Sequence, residues 1–190
     1  MVAIRQGKRD VDTILVDVAK EIRSEGKLNE AEKLLTQAVQ RNSGSWRAAR
    51  ELGDFYKHEK KITPALQYYE RAAHLSPKKG KDRALIYREY GILLRDAGTP
   101  DALTKATEAL ETALIETPND PVCTFVLGQV LCRRGMFTKA VPFLEKLSVS
   151  DDLKSRMNVY PLLKKCYDKS GDMLAISKLK DNARLDGVQI

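Results

Sequence analysis

Ala31 and Ala65 stand 34 residues apart, and so do Ala106 and Ala140. Around each alanine the chain repeats one pattern: an amphipathic stretch, a turn, a second amphipathic stretch with small residues at fixed places, then a break. A fixed period of this length marks a repeat architecture, in which each unit buries its apolar face only against its neighbours.

The second copy is the clearest, with Leu52-Gly53 followed by Tyr56, Ala65, Tyr69, Ala72 and Pro77. The first reads Val18-Ala19, Ile22, Gly26, Ala31, Leu35 and Ala38. The third gives Tyr90-Gly91, Leu94, Gly98, Ala106, Leu110, Ala113 and Pro118, and the fourth Leu127-Gly128, Leu131, Gly135, Ala140 and Leu144. A fifth, more degenerate copy holds Tyr160, Leu163, Tyr167, Gly171, Ala175 and Leu179.

Each recurring residue has a physical reason. Where two helices cross at close range, only Gly or Ala lets the backbones approach, while large side chains three and four residues away fill the groove beside the contact. Gly26, Gly98, Gly135 and Gly171 fall just past a helix end, where a left-handed residue is needed. Pro77 and Pro118 stop the second helices.

Ala65 and Ala106 are seven residues further apart than the period. The spacing places four extra residues in the loop Lys78 to Asp82 and three in the turn Thr99-Pro100-Asp101, both at connections rich in helix breakers.

The recurrence in register of Leu-Gly-x-x-Tyr, the downstream Ala and the terminal Pro resembles the tetratricopeptide repeat family over roughly residues 10–187. That resemblance implies an all-α fold, an α-solenoid of about five antiparallel helix-turn-helix repeats. The expected units are about 10–43, 44–80, 81–119, 120–153 and 154–187, after an N-terminal extension over 1–9. In such folds the first helix of each pair lines a concave groove, the second forms the back, and the groove binds peptides or protein partners.

On that expectation the groove presents Val16, Lys20, Arg23 and Ser24 in the first unit, then Arg47, Arg50, Asp54, Lys57 and His58 in the second. The third contributes Leu85, Arg88, Ile92, Arg95 and Asp96, the fourth Phe125, Gln129 and Arg133, and the fifth Lys165, Asp168 and Lys169. Eleven of these are Lys, Arg or His and three are acids, a steeper ratio than the 33 to 26 of the whole chain. Arginine binds carboxylates bidentately, so the expected partner is an acidic or carboxylate-bearing protein segment. Arg47, Arg50, Arg88 and Arg95 would anchor it, with Ile92 and Phe125 offering apolar contact. The competing reading is that Lys and Arg are common at any exposed helical position. Members of the family that bind chaperone tails clamp a terminal carboxylate with Lys and Asn. The matching places here are Val16, Lys20 and Asp54, and only Lys20 fits.

Catalytic chemistry is not written into the chain. It has no nucleophile elbow, P-loop, dinucleotide fingerprint or zinc motif, so no enzyme activity, cofactor or metal is expected. The two histidines, His58 and His74, belong to no metal-ligand cluster. Basic runs at Arg5 to Arg9 and Lys78 to Arg83, with a net charge of +7, leave an RNA-binding helical repeat as a further reading. Against it, Tyr56, Tyr68, Tyr69 and Tyr90 fall on packing positions rather than on a stacking platform. The longest apolar stretch, Cys123 to Cys132, has half the length a bilayer requires. Three cysteines without a CxxC pair read as reduced, buried thiols of a cytoplasmic protein. The apolar side of the last helix, ending near Leu185, suggests two further possibilities: self-association through the C-terminal repeat, or service as the regulatory or sensor part of a larger effector.

Overall fold

The computed structural model describes residues 11–190, and the extension over 1–9 and the basic run Arg5 to Arg9 lie outside the described residues. Ten α-helices follow one another among them: α1 (Val11–Ser24), α2 (Leu28–Arg41), α3 (Trp46–His58), α4 (Ile62–Leu75), α5 (Lys81–Ala97), α6 (Pro100–Glu116), α7 (Pro121–Arg133), α8 (Phe137–Ser148), α9 (Leu153–Ser170) and α10 (Met173–Leu185). They pair as five antiparallel hairpins, and the fold is all-α, as the repeat pattern predicts.

Local chemistry sets the helix ends. Ser45, Thr99, Asp120, Asp152 and Asp172 sit at N-caps, and their side chains accept the backbone N–H groups of Ala48, Ala102, Cys123, Ser155 and Ala175. Each bond satisfies one of the orphan donors of a first turn. Gly98 and Gly171 end α5 and α9 in the left-handed conformation. Pro77 and Pro118 follow the caps Ser76 and Thr117, so α4 and α6 stop where the sequence predicts.

The contacts divide the chain into two compact units, one up to Lys78 and the other from Lys79 onward. The first holds two hairpins. Its core is Val16, Ala19, Leu35, Ala38, Val39, Ala48, Leu52 and Phe55, with Ala31 fully enclosed. Tyr56 and Tyr68 stack over this core with ring centroids 5.6 Å apart, and the Tyr56 hydroxyl donates to Glu32 at 2.8 Å. Val16, expected to face the groove, is part of the core: a β-branched apolar side chain at the α1–α2 interface gains more from burial than from exposure.

The second unit holds three hairpins, and here the expected insertions take a different form. The extra length placed in the loop before α5 and the turn before α6 is taken up by the helices, although Lys78, Lys79 and Gly80 remain outside them: α5 and α6 have 17 residues each, whereas α3 and α7 have 13. Lys81 and Asp82 open α5 instead of ending a loop. Thr99-Pro100-Asp101 is a helix N-terminus, because Thr99 caps it, Pro100 needs no hydrogen-bond acceptor at the first position and Asp101 faces the positive end of the dipole. The extra residues therefore lengthen the third hairpin by about one turn.

The central contact is alike in three hairpins. A Cβ placed on Gly53 would lie 2.8 Å from the Tyr69 ring, one on Gly91 would lie 2.6 Å from Leu110 Cγ, and one on Gly128 would lie 2.5 Å from Leu144 Cδ2. Tyr69, Leu110 and Leu144 are fully buried, so each first helix seats its glycine directly on a large side chain of the second.

Seven residues after Gly91 and Gly128 come the left-handed turn glycines, Gly98 and Gly135. Seven residues after Gly53 comes Lys60, which takes the same conformation at φ 58°. Lys61 N–H bonds Tyr56 O at 2.9 Å across this turn, as Met136 N–H bonds Leu131 O at 2.9 Å across the fourth. Hydrogen bonding thus holds a side-chain-bearing residue where glycine serves elsewhere, at a cost of about 1–2 kcal/mol.

The chain closes on itself at the far end. After α10, whose Ile176, Leu179 and Ala183 are buried, Asp186 accepts two hydrogen bonds from Arg156 of α9, at 2.7 and 2.8 Å, and a third from Tyr160. The Arg156 guanidinium and the Tyr160 hydroxyl hold the Asp186 carboxyl well below its ordinary range, at about 2.

Three outcomes follow from these contacts. Gly91→Ala gains about 1 kcal/mol of helix propensity but meets the branch carbon of Leu110, an overpacking cost of about 1–3 kcal/mol, so denaturant titration should show a net loss of up to about 2 kcal/mol. Lys60→Gly relieves the left-handed strain against glycine's greater unfolded entropy, and the denaturant midpoint should rise, by up to about 1 kcal/mol. Because Asp186 is depressed in the folded state, its contribution is present above the unfolded value of about 4 and is lost as pH falls through about 2. Asp186→Asn should therefore lower Tm at neutral pH, with the gap to the parent closing between those values in a thermal melt series.

Candidate partner-binding faces

First helices lie against first helices: α1 touches α3 in the first unit, while α5 touches α7 and α7 touches α9 in the second. This neighbour relation brings the expected residues into two separate groups. Lys20, Arg23, Arg47, Arg50 and Lys57 belong to the first unit, and Arg88, Ile92, Arg95, Phe125, Arg133 and Lys165 to the second.

In the first unit the arginine at the centre is not a bare charge. Arg50 bonds the carboxylate of its neighbour Glu51, and Lys20 reaches the same Glu51 from α1 at 2.9 Å. Asp54 lies 3.7 Å from Arg50 Nε, too far for a hydrogen bond, and that buried Nε has no hydrogen-bond partner. Asp54 in turn accepts the Tyr69 hydroxyl. Burial pushes the Asp54 carboxyl up and the charge of Glu51 adds to this, against the opposing pull of Tyr69 and Arg50. The four groups Lys20, Arg50, Glu51 and Asp54 form a self-neutralising network in which the buried Arg50 Nε is left without a hydrogen-bond partner. Arg47 is exposed and lies over the Trp46 ring, 5.0 Å from its centroid. Arg23 and Lys57 are half-buried.

In the second unit Arg88, Ile92 and Arg95 recur at helical spacing on α5, and Arg95 meets Gln129 and Arg133 of α7, the helix that also carries Phe125. Arg88 bridges to Asp120 at 2.9 Å and to Glu89 at 3.2 Å. Arg95 pairs with Asp96 at 2.8 Å and donates to the Gln129 amide oxygen at 3.0 Å. Arg133 donates to the Arg95 carbonyl at 2.8 Å, satisfying an acceptor in the last turns of α5. Asp120 serves two roles, cap of α7 and partner of Arg88. Burial works against its ionisation, but the Cys123 N–H and the Arg88 guanidinium outweigh that and hold it below its usual range.

Three acids bearing on the charge of these faces, Glu51, Glu89 and Asp120, are absent from the expected groove set. Two carried a signal in the chain itself. Arg50-Glu51, Arg88-Glu89 and Arg95-Asp96 are three arginine–acid dipeptides, and although adjacent helical residues diverge, a guanidinium is long enough to fold back onto its neighbour. Asp120 is the fourth residue of Thr-Pro-Asn-Asp-Pro, recognisable as a cap but not as the partner of Arg88, 32 residues earlier.

Apolar contact is offered beside Phe125. A cleft between α7, α8 and α9 is lined by Pro121, Val122, Phe125, Leu147, Ser155 and Asn158. Val122 is half exposed at its mouth and Leu147 is buried at its floor. Lys165 stands exposed on α9, beside Lys164, which pairs with Asp168 at 3.1 Å.

Among the described residues no His, Cys, Asp and Glu cluster could hold a metal ion, and no helix is long and apolar enough to cross a membrane.

The fold has counterparts in known proteins. A tetratricopeptide repeat family model matches residues 21–80. No curated protein is significantly similar in sequence. Among solved structures, the protein MamA is similar with a TM-score of 0.76 at 18% identity, covering 92% of this chain and 91% of its own. YrrB, described as a tetratricopeptide repeat protein with an unusual peptide-binding site, is similar with a TM-score of 0.67 at 18% identity, covering 88% of this chain and 90% of its own. Residues 21–80 thus match the tetratricopeptide repeat family model, and the chain as a whole shares the helical-repeat fold of these solved structures.

Proposed function

We propose that this chain is a protein-protein interaction scaffold or adaptor that binds an acidic or carboxylate-bearing segment along its first-helix faces. The observation that carries this reading is the α5–α7 face, where Arg95 meets Gln129 and Arg133, Arg88 pairs with Asp120 at the start of α7, and α7 also carries Phe125 into an apolar cleft. A peptide-binding site in the similar YrrB is consistent with it. Lys165 would extend the contact on the second unit, and Lys20, Arg23, Arg47, Arg50 and Lys57 offer a candidate face of the same kind on the first. The three cysteines are free thiols at rest, in keeping with the cytoplasmic setting this reading assumes.

The internal ion pairs shape how such a partner is held. Arg95 already has Asp96, and Arg88 has Glu89 and Asp120, so an incoming carboxylate competes with a resident one. Binding is then moderate, electrostatic and salt-sensitive, and selective for segments that also place an apolar side chain in the cleft. An RNA strand would feel the same charge, but Tyr69 and Tyr90 are buried and Tyr56 and Tyr68 stack on each other, which leaves few rings for bases. A second reading, self-association through the last hairpin, is favoured by Met173, Leu174 and Leu185, all largely exposed on α10. Sedimentation over a concentration series separates a monomer from such a dimer.

The test is fluorescence anisotropy of a labelled Asp/Glu-rich peptide with a free carboxyl terminus, against single-stranded RNA, over a salt series. Arg95→Glu should weaken the peptide by about tenfold or more, the equivalent of 1.4 kcal/mol. Asp96→Asn removes the resident competitor at an exposed position and should tighten it several-fold. Equal affinities for both variants and the parent, or RNA binding stronger than the peptide with a steeper salt slope, would overturn the reading.

A further inference from the structure

Cys132 and Cys166 are 34 residues apart, one repeat period, and the stacking of α7 on α9 turns that spacing into contact: their sulfurs lie 3.2 Å apart. Cys132 sits in the last turn of α7, three residues before the αL residue Gly135, and Cys166 sits inside α9. Both are free thiols and buried, and neither lies on the charged faces described above. A third thiol, Cys123, is buried elsewhere in the same unit and directs its sulfur to the Leu110 carbonyl at 3.4 Å.

We infer that Cys132 and Cys166 form a redox-modification site, a dithiol that closes to an intramolecular disulfide when a small oxidant of the peroxide class reaches it. A disulfide needs its sulfurs about 2.05 Å apart, so the pair, now at 3.2 Å, has to close by little more than one ångström. Closing the bond ties the fourth hairpin to the fifth through their first helices. Arg133 and Lys165 are the chain neighbours of the two sulfurs, so oxidation also fixes the separation of the helices that carry them.

The chemistry balances with hydrogen peroxide as the oxidant. The Cys132 thiolate attacks one peroxide oxygen, the O–O bond breaks, and hydroxide leaves a sulfenic acid behind. The Cys166 thiolate then attacks the sulfenic sulfur, forms the S–S bond and expels a second hydroxide. The two protons released by the thiols convert both hydroxides to water, and two electrons pass from the sulfur pair to the peroxide. Cys132 is the better first nucleophile on position, since helix ends open more readily than helix interiors. Burial pushes both thiols up, Cys166 to about 12, while Lys165 pulls the other way on each. The resting state is accordingly the reduced pair, and closure is slow, gated by opening of the α7 end and faster at higher pH.

The experiment treats the full chain with hydrogen peroxide under native conditions, blocks remaining thiols with N-ethylmaleimide after denaturation, and maps the peptides by mass spectrometry. The expected result is one intramolecular link between the Cys132 and Cys166 peptides, reversed by dithiothreitol, with Cys123 still alkylated, and a Tm several degrees higher after oxidation. Cys132→Ser and Cys166→Ser should each abolish the link and the Tm shift, and Cys123→Ser should keep both. The map of the unsubstituted chain decides the matter even if a serine variant folds poorly. A Cys132 driven to sulfinate without a link, a link that joins two chains, or no change at excess peroxide would overturn the inference.

Discussion

The structure depends on the close approach of paired helices, which in three of the five hairpins is made at one glycine. Gly53, Gly91 and Gly128 leave room for Tyr69, Leu110 and Leu144, each fully buried, and a single added carbon would overlap them. Because the glycine stands at the middle of the first helix and the large residue at the middle of the second, the contact fixes both the crossing and the register of the hairpin. The left-handed residue seven positions later then reverses the chain at a fixed distance from the contact. Hairpins built on this rule expose one side of each first helix and hide the other, which is why chemistry-bearing residues collect on the first helices.

What those residues do is decided by electrostatics over short distances. Arginines counted one by one suggest a strongly positive surface. Placed in the fold, Arg50, Arg88 and Arg95 are each bonded to an acid next in sequence, and Lys20 and Arg88 reach further acids on neighbouring helices. Such half-exposed pairs contribute little stability each, about 0–1 kcal/mol. Their larger effect is on recognition, since a partner must offer better carboxylate geometry than the resident one, and an apolar group for the cleft beside Phe125.

The parts of the fold legible in the chain were those encoded within one repeat. Glycines at turns, the stops at Pro77 and Pro118, and the alanines at the crossings all act through neighbours a few residues away or on the paired helix. Lys60 escaped because its left-handed turn is enforced by backbone bonds rather than by residue type. The insertions were found by counting, but Thr99-Pro100-Asp101 was read as a breaker although the same three residues start a helix well. The fold-back of the tail onto Arg156 and Tyr160 spans 26 to 30 residues and has no periodic signature. For the candidate faces, membership of the first helices was legible, and the pairs Lys20–Glu51 and Arg88–Asp120 were not, because pairing across helices is a property of stacking. The sulfur pair is the intermediate case: the spacing of Cys132 and Cys166 equals the repeat period, so contact between them was readable once the repeat was taken as a ruler.

Hydrogen exchange followed by mass spectrometry, with and without a saturating acidic peptide, tests most directly whether the first helices are the binding face. Slower exchange is expected in α5 (Lys81–Ala97) and α7 (Pro121–Arg133), with α6 and α8 unchanged. Protection confined to α6 and α8, or no protection at a peptide concentration that saturates binding, would contradict it.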